Sequence, residues 1–385
     1  MVSPVTTCER RSPRRLGVAV NTRIGTRETD DPLLEVEDLH TTFTLGHGSV
    51  RAVDGVSLTL HRGKTLGVVG ESGSGKTVLS RTIMGLNTAS NVTISGSVRY
   101  AGEELVGRPS KHLRSLFGPE MAMVFQDPMT SLNPVVKVGR QLTEHVRYHL
   151  GLGKSEAEKI AIALLTSVRI PEPEARLDAY PHQMSGGMRQ RVCIAMALAC
   201  GPRLLFADEP TTALDVTVQH QILNLLAEQQ RDRAMGMVLV THDLGVVAGR
   251  TDEIVVMYAG RVVERAPTTT LFAEMRHPYT EGLLRSIPKT SEAKHTRLNA
   301  IHGRPPDLLS PPPGCKFAPR CPYAQERCRN EEPPLTDPET PGHSFRCFYP
   351  IGTPENRAAY ESNLAAGLPQ TLAAAGQLLA TEEVA

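Results

Sequence analysis

An eight-residue stretch of the chain has the composition and spacing of a phosphate-binding loop. A glycine-rich turn between a strand and a helix points successive backbone N–H groups at one spot, at the positive end of the helix dipole. A lysine at its end adds positive charge for the β- and γ-phosphates of a nucleotide, and the following hydroxyl suits Mg²⁺. The pattern G-x-x-x-x-G-K-[S/T] is met at every fixed position by Gly70, Glu71, Ser72, Gly73, Ser74, Gly75, Lys76 and Thr77. Alone, this P-loop leaves kinases, GTPases and motor ATPases open.

Three short apolar runs, typical of buried strands, end at further polar residues. The runs are residues 121–125, 204–207 and 237–240, and the polar residues after them include Gln126, Asp208, Glu209 and His242. An unbroken apolar run before Asp208 is typical of a central parallel strand, buried on both faces. A carboxylate at the carboxyl end of such a strand lies at the crevice where open α/β sheets bind ligands.

The segments that must position these residues predict an α/β fold. Residues 33–45 and 50–60 form an antiparallel hairpin, which precedes the strand at residues 65–69 that leads into the P-loop. Phe43 lies on the first strand of this hairpin. An aromatic ring there can stack on an adenine or simply pack as a strand residue, and the sequence leaves both interpretations open.

Helical patterns dominate between the first and second of the apolar runs. Residues 139–150 are amphipathic, and we predict a helical insert at about 128–200 within a nucleotide-binding domain of residues 31–288. Proline becomes frequent beyond residue 288. We therefore predict a small Cys- and Pro-rich extension at 289–353 and an Ala-rich tail at 354–385.

Composition and charge argue against a nucleic-acid or membrane-spanning protein. Among 385 residues, 42 basic side chains oppose 41 acidic ones, so no global charge attracts nucleic acid or an anionic membrane. The longest near candidate for a span, residues 192–200, is far shorter than the roughly 20 residues required. Residues 1–30 are predicted to be a disordered leader without an export signal. The seven cysteines would then stay reduced.

Five short motifs follow one another in a characteristic order. They are the P-loop, Gln126, MSGGM at 184–188, FADEP at 206–210 and His242. Together they resemble the ATP-binding subunits of ABC transporters over about residues 33–288. The resemblance implies a P-loop ABC ATPase fold, with an antiparallel β subdomain, a mainly parallel core sheet and a helical insert. It also implies ATP and Mg²⁺ as cofactors and ATP hydrolysis as the reaction.

The resemblance assigns a role to each side chain around the nucleotide. Thr77 would bind Mg²⁺ directly and Asp208 through water, while Gln126 would contact both the metal ion and the attacking water. Glu209 would orient or deprotonate that water, and His242 would bridge Glu209 and the γ-phosphate. The P-loop lysine, Mg²⁺ and backbone dipoles would stabilise the negative charge on the transferred phosphoryl group in the transition state.

Ser185, Gly186 and Gly187 form a second anion cradle, ahead of another helical segment. One chain does not need two such cradles for one nucleotide. In the resembled family this signature faces the γ-phosphate held by the opposite subunit, which implies ATP sandwiched between two chains. The usual LSGGQ is MSGGM here, so Met188 replaces a polar glutamine.

A narrower resemblance lies towards the C-terminus. Residues 277–280 and 314–322 look like the extension of oligopeptide and dipeptide importer ATPases, with nickel-import ATPases as close relatives. This implies peptide import, with two permease subunits, a second ATPase chain and an extracytoplasmic substrate-binding protein as partners, and no nucleic acid. The chain would sit peripherally on the cytoplasmic face of the cell membrane. The rivals are a non-transport ABC ATPase and a P-loop kinase, which has no use for the signature or His242.

Four cysteines cluster in the proline-rich extension. They are Cys315, Cys321, Cys328 and Cys347, with the spacing C-x5-C-x6-C-x18-C. This spacing matches neither the usual zinc pairs nor the ferredoxin run. Some members of the resembled family carry a [4Fe–4S] cluster in this extension, and a cluster, zinc or unmetallated thiols all stay open. Metal–thiolate bonds would cross-link a segment too small to order itself by burial alone.

Overall fold

The computed structural model describes residues 31–212, 214–287, 301–336 and 341–367. The predicted leader, the predicted domain boundary near residue 288 and the end of the Ala-rich tail lie outside these ranges. The strands are β1 (Pro32–Leu45), β2 (Gly48–His61), β3 (Thr65–Val69), β4 (Val92–Tyr100), β5 (Glu103–Glu104), β6 (Met121–Val124), β7 (Leu204–Asp208), β8 (Gly236–Thr241), β9 (Glu253–Tyr258), β10 (Arg261–Pro267) and β11 (Ser344–Phe345).

Helices separate most of these strands. They are α1 (Lys76–Ile83), α2 (Ser110–Leu116), α3 (Pro128–Ser131), α4 (Val138–Leu150), α5 (Lys154–Ser167), α6 (Pro173–Leu177), α7 (Gly186–Leu198), α8 (Val216–Arg233), α9 (Leu244–Val247), α10 (Thr268–Glu274), α11 (Pro278–Arg285), α12 (Glu326–Asn330) and α13 (Pro354–Ala365). Across the described ranges, no helix is both long enough and apolar enough to cross a membrane.

The strands form two sheets, as the sequence predicts. The smaller sheet is antiparallel, in the order β2-β1-β4-β5, and contains the predicted hairpin. The larger sheet has the order β11-β10-β9-β3-β8-β7-β6. Its strands from β9 to β6 pair in parallel, with β3 between β8 and β9. The predicted α/β fold class, with an antiparallel subdomain and a mainly parallel core sheet, is confirmed.

The larger sheet is buried on both faces, which explains its unbroken apolar strands. Successive side chains of a strand point to opposite faces. On β7, Leu204 and Phe206 pack with the antiparallel sheet and α1, whereas Leu205 and Ala207 pack with the helices of the other face. This burial fixes the level at which each parallel strand ends, and so the positions of the polar residues that follow.

The helices α3 to α7 lie between β6 and β7, within the stretch predicted to be a helical insert. Helix α4 buries Val138, Leu142 and Val146 on one stripe, at the four-residue spacing of a helix face. This stripe packs in the same apolar cluster as Ala157 and Ala161 of α5. The opposite face of α4 stays exposed, as its amphipathic pattern predicts.

The Cys- and Pro-rich segment is attached to the core sheet. Its short strand β11 pairs with β10, with Phe345 opposite Glu264. The fully buried Glu264 carboxylate accepts hydrogen bonds from His343 (2.8 Å) and from the backbone N–H groups of Arg276 (2.6 Å) and His277 (3.0 Å). The extension therefore completes the edge of the main sheet.

Candidate active site

The P-loop joins the end of β3 to the start of α1, as its sequence predicts. Lys76, the first residue of α1, donates from Nζ to the carbonyl oxygens of Gly70 (2.7 Å) and Glu71 (2.9 Å). Its side chain is only 4% exposed. No side chain caps the N-terminus of this helix. Backbone N–H groups and one ammonium thus converge on the loop, as an anion site requires.

Two glycines of the loop are required by close backbone approaches. A Cβ at Gly70 would lie 2.2 Å from the carbonyl oxygen of Met257, and one at Gly75 would lie 2.2 Å from that of Ala52. Gly75 also has φ +101°, which disfavours other residues. The buried Ser74 hydroxyl has no hydrogen-bond partner within the described ranges. An incoming phosphate oxygen would suit this orphaned donor.

Asp208 and Thr77 form a pair of oxygen donors beside the loop. Asp208 is the last residue of β7, and its Oδ1 accepts a hydrogen bond from Thr77 Oγ1 at 3.2 Å. Asp208 is 1% exposed, and burial raises its pKa above the ordinary value. A carboxylate and a hydroxyl are hard ligands of the kind that Mg²⁺ prefers. These two residues therefore fit the predicted metal role.

Glu209 is held at the centre of a hydrogen-bond network. Its Oε2 accepts from Gln126 Nε2 (2.9 Å) and Thr212 Oγ1 (3.0 Å), and lies 3.3 Å from His242 Nδ1. Lys76 Nζ lies 3.8 Å from the other oxygen. The structure thus gathers Gln126, Glu209 and His242 around one carboxylate. Gln126 contacts Glu209, and none of its described contacts is with Thr77 or Asp208.

The backbone and electrostatics of Glu209 hold its carboxylate in one place and in its ionised form. Its φ of +45° lies in the left-handed region, and its N–H donates to the Val240 carbonyl oxygen at 2.9 Å. These two features fix the backbone position from which the side chain extends. The hydrogen bond with His242 lowers the pKa of Glu209, and the same contact raises the pKa of His242. Glu209 therefore stays ionised, and its role as the base stays a prediction.

The signature residues lie at the N-terminus of α7. Ser185 caps this helix by accepting a hydrogen bond from Met188 N at 3.3 Å, and both Ser185 and Gly186 are exposed. A Cβ at Gly187 would come within 2.8 Å of Val218 on α8. Met188 packs against the apolar core, so the missing glutamine is replaced by a packing contact. The described contacts of these residues do not include the P-loop.

Phe43 stays apart from the network around Glu209. It is half-buried on β1, opposite Val50 of β2 and Val92 of β4. These neighbours are compatible with either role, and adenine stacking by Phe43 stays a prediction.

Two contacts of the P-loop come from residues to which the sequence assigns no role. Glu71 N donates to Tyr279 Oη at 2.7 Å, and Arg320 donates two hydrogen bonds, of 2.6 and 3.0 Å, to the Glu71 carboxylate. The sequence also assigns no role to Thr212, which donates a hydrogen bond to Glu209. Thr212 follows Glu209 by three residues, which is a local signal, whereas Arg320 is 249 residues from Glu71.

The four cysteines of the extension line one small cavity, together with Phe317 and Phe348. Burial raises the pKa of Cys315 to about 11 and that of Cys347 to about 12. Even so, no group of three or more His, Cys, Asp or Glu side chains in the described part of the chain is placed to hold a metal ion. The thiols share a cavity without meeting at one point.

Comparisons with known proteins agree with this geometry. The family described as ABC transporter matches residues 53–212, and the oligopeptide/dipeptide transporter C-terminal region matches residues 263–328. The oligopeptide transport ATP-binding protein OppD of Salmonella typhimurium is 49% identical over 319 residues, covering 83% of this chain and 94% of the relative. The dipeptide transport ATP-binding protein DppD of Escherichia coli is 49% identical over 319 residues, covering 83% and 97%.

Solved structures give the same fold. A dimeric structure of the ATP-binding cassette MJ0796 in a post-hydrolysis state, bound to ADP and Pi, has a TM-score of 0.56 and 25% identity. The match covers 61% of this chain and 98% of that one. The resemblance drawn from the motifs is thereby confirmed. The chain is an ABC-type ATPase and belongs to the family of transporter ATP-binding proteins that carry the oligopeptide/dipeptide C-terminal region.

Proposed function

We propose that this ATPase energises the import of di- or oligopeptides by an ABC transporter. One observation carries the proposal. The same chain contains the hydrogen-bond network around Glu209 and a C-terminal region that matches the oligopeptide/dipeptide transporter family. The two relatives described above are named for oligopeptide and dipeptide transport, not for nickel. Their coverage of 83% of this chain, together with the matched C-terminal region, favours a transporter subunit over a non-transport ABC ATPase.

In this proposal the P-loop binds the phosphates of ATP. Lys76 turns from the Gly70 and Glu71 carbonyls to the β- and γ-phosphates, while Ser74 and the free N–H groups of α1 donate to phosphate oxygens. Thr77 and Asp208 would hold Mg²⁺, which would supply positive charge beside the phosphates. Glu209 orients the attacking water and takes up its proton, and Gln126 and His242 fix the Glu209 carboxylate.

The exposed signature supports a site shared between two chains. Ser185 and Gly186 present a helix N-terminus to solvent, and none of their described contacts is with the P-loop of their own chain. We assign them to the γ-phosphate held by a second ATPase chain, identical to this one or a sister chain. The dimeric form of the solved cassette is consistent with such an arrangement.

An apolar groove near Gln126 offers a docking site for the permease subunits. It runs between the end of α1, strand β6 and helix α7, with His145 of α4 at one side. Its lining includes Met84, Leu86, Phe117, Met123, Phe125 and Met196. Phe125 is 40% exposed and directly precedes Gln126, so an occupant of the groove would touch the chain beside the hydrolytic network. We propose a short cytoplasmic helix of a permease subunit as that occupant.

Phe125→Glu should uncouple the ATPase from transport. A charge in the groove would be desolvated by the docked helix, so the variant should leave membranes that contain the permeases, and ATP-driven uptake of labelled peptide into proteoliposomes should cease. ATP binding should persist, because Phe125 lies outside the P-loop. Tyr148→Glu is the matched control, since Tyr148 is 83% exposed on α4 outside the groove. Undiminished membrane binding by Phe125→Glu would refute the docking role, and uptake of nickel instead of peptide would refute the substrate.

We further propose that the four cysteines of the extension hold a [4Fe–4S] cluster. The four cysteines line one small cavity, and a [4Fe–4S] cluster takes four thiolate ligands, so the shared lining supports the proposal. The fit rests on these four residues, Cys315, Cys321, Cys328 and Cys347. Bound metal would supply the positive charge that ionised thiols in a buried site need. The cluster would cross-link the extension, with no part in ATP hydrolysis.

Protein purified without oxygen should contain iron and sulfide and absorb broadly in the visible range. Cys321→Ser should abolish this absorption and make the extension sensitive to protease, while the ATPase core survives. Cys200→Ser is the control, because Cys200 lies outside the extension and should leave the colour unchanged. Colourless protein that contains stoichiometric zinc would show that the site binds zinc and not an iron–sulfur cluster. Metal-free protein with a protease-resistant extension would refute a metal site altogether.

A further inference from the structure

The P-loop contains an acidic side chain, Glu71, in a site that must attract phosphate. The Glu71 carbonyl oxygen is one of the two that hold Lys76 Nζ, so this residue is integral to the loop. An ionised carboxylate at this position opposes the approach of a nucleotide carrying several negative charges. The loop therefore requires a compensating charge besides Lys76.

Arg320 of the extension supplies this charge. Its side chain is 3% exposed, and its guanidinium forms a bidentate pair with the Glu71 carboxylate. The remaining donors are fixed by the carbonyl oxygens of His302 (2.9 Å) and Ile301 (3.1 Å) and by Tyr258 Oη (3.4 Å). Because every edge of the planar fork is engaged, the position of the Glu71 carboxylate is fixed as well.

The pair is part of a larger contact between the loop and residues on the C-terminal side of β10. Tyr279 of α11 accepts from Glu71 N, and its ring packs against Tyr258 and Phe317 at centroid distances of 4.7 and 5.4 Å. Arg320 directly precedes Cys321, which lines the thiol cavity. The side chain and the backbone N–H of Glu71 are thus both held by residues C-terminal to β10.

We propose that Arg320 is a positioning residue of the nucleotide site, which neutralises and holds Glu71 so that the P-loop accepts ATP. The extension then completes the ATP site, in addition to any role in metal binding. This inference rests on the proposed nucleotide site at the P-loop. The competing explanation is that Arg320 only anchors the extension. The two explanations differ in whether adding Glu71→Gln to an Arg320 variant restores its affinity for the nucleotide.

Arg320→Met should weaken binding of AMP-PNP with Mg²⁺ roughly tenfold in the purified full chain, measured by calorimetry, because the partly buried Glu71 carboxylate loses its ion-pair partner and its charge then opposes the phosphates. Glu71→Gln alone should bind the nucleotide at least as well as wild type. The double variant Glu71→Gln/Arg320→Met should recover affinity to within about twofold of wild type, since no charge is left to compensate. Arg276→Met is the matched control, because Arg276 bonds the extension at the Ile351 carbonyl oxygen, away from the P-loop.

Two outcomes would overturn the proposal: wild-type affinity in a folded Arg320→Met, or a double variant as weak as Arg320→Met. If Arg320→Met does not fold, Arg320→Lys decides. Lysine keeps the charge beside Glu71 but loses the carbonyl contacts, so near-wild-type affinity with a lowered melting temperature supports the proposal, and a tenfold loss of affinity refutes it. A separate measurement tests the nucleotide site itself. If the wild type binds AMP-PNP and Lys76→Ala does not, the P-loop is the nucleotide site, whatever the Arg320 variants show.

Discussion

Glu209→Gln is expected to stop ATP turnover while leaving ATP bound. Glutamine keeps the size of the side chain and an oxygen that accepts from Gln126 and Thr212, but it cannot take a proton from water. Loss of a general base costs on the order of 10²-fold or more in rate. ATP should then persist between two chains, so the variant should accumulate as a nucleotide-bound dimer. Phosphate release and size-exclusion chromatography measure the two effects.

The control for this variant is Glu228→Gln. Glu228 is a surface residue whose only described ion pair is with Arg169 at 2.7 Å, so its loss should not affect turnover. A wild-type rate for Glu209→Gln would show that Glu209 is not the base. In the wild-type protein, the His242 contact holds the pKa of Glu209 below the ordinary glutamate value. Protonation of Glu209 should therefore reduce turnover only below the pH range in which an ordinary glutamate titrates.

Lys76→Ala is expected to abolish measurable ATP binding at concentrations that saturate the wild type. Lys76 is the ammonium at the centre of the loop, and a charged contact of this kind contributes about 3 kcal/mol, on the order of 10²-fold in affinity. The fold should survive, because the lysine is held by two loop carbonyls that water can satisfy. Burial lowers the pKa of Lys76, so alanine also removes the cost of a buried charge.

Calorimetric titration with Mg²⁺–ATP measures this loss, and circular dichroism checks the fold. Lys64→Ala is the matched control, because Lys64 pairs at the surface with Asp252 at 2.9 Å and lies outside the loop. Unchanged affinity in Lys76→Ala would show that residues 70–77 do not bind the nucleotide.

The P-loop and the network around Glu209 could be predicted because local patterns encode them. A strand, a glycine-rich turn and a helix are contiguous at Lys76, and Asp208 and His242 each follow an apolar strand. In a parallel sheet the carboxyl ends of neighbouring strands lie side by side, so residues far apart in sequence meet without a special signal. The pairing of Asp208 with Val240 is the register that brings them together.

The contacts made by the extension could not be predicted in this way. Arg320 reaches Glu71 across 249 residues, and no periodicity marks a side chain that will meet a distant loop. Strand β11 is two residues long, too short to leave an alternating pattern. The cysteines were recognisable as a group from their spacing, but only folding shows that all four line the same cavity.

The edge position of β11 has a consequence for how the chain is made. Synthesis proceeds from the N-terminus, so β10 emerges before the residues that cover it. Until His343 follows, 79 residues after Glu264, that carboxylate lacks its side-chain partner, and β10 is an open edge able to pair with another nascent chain. A ribosome that stalls or stops within this interval therefore releases an aggregation-prone ATPase, although every residue of the proposed hydrolytic network has already been translated.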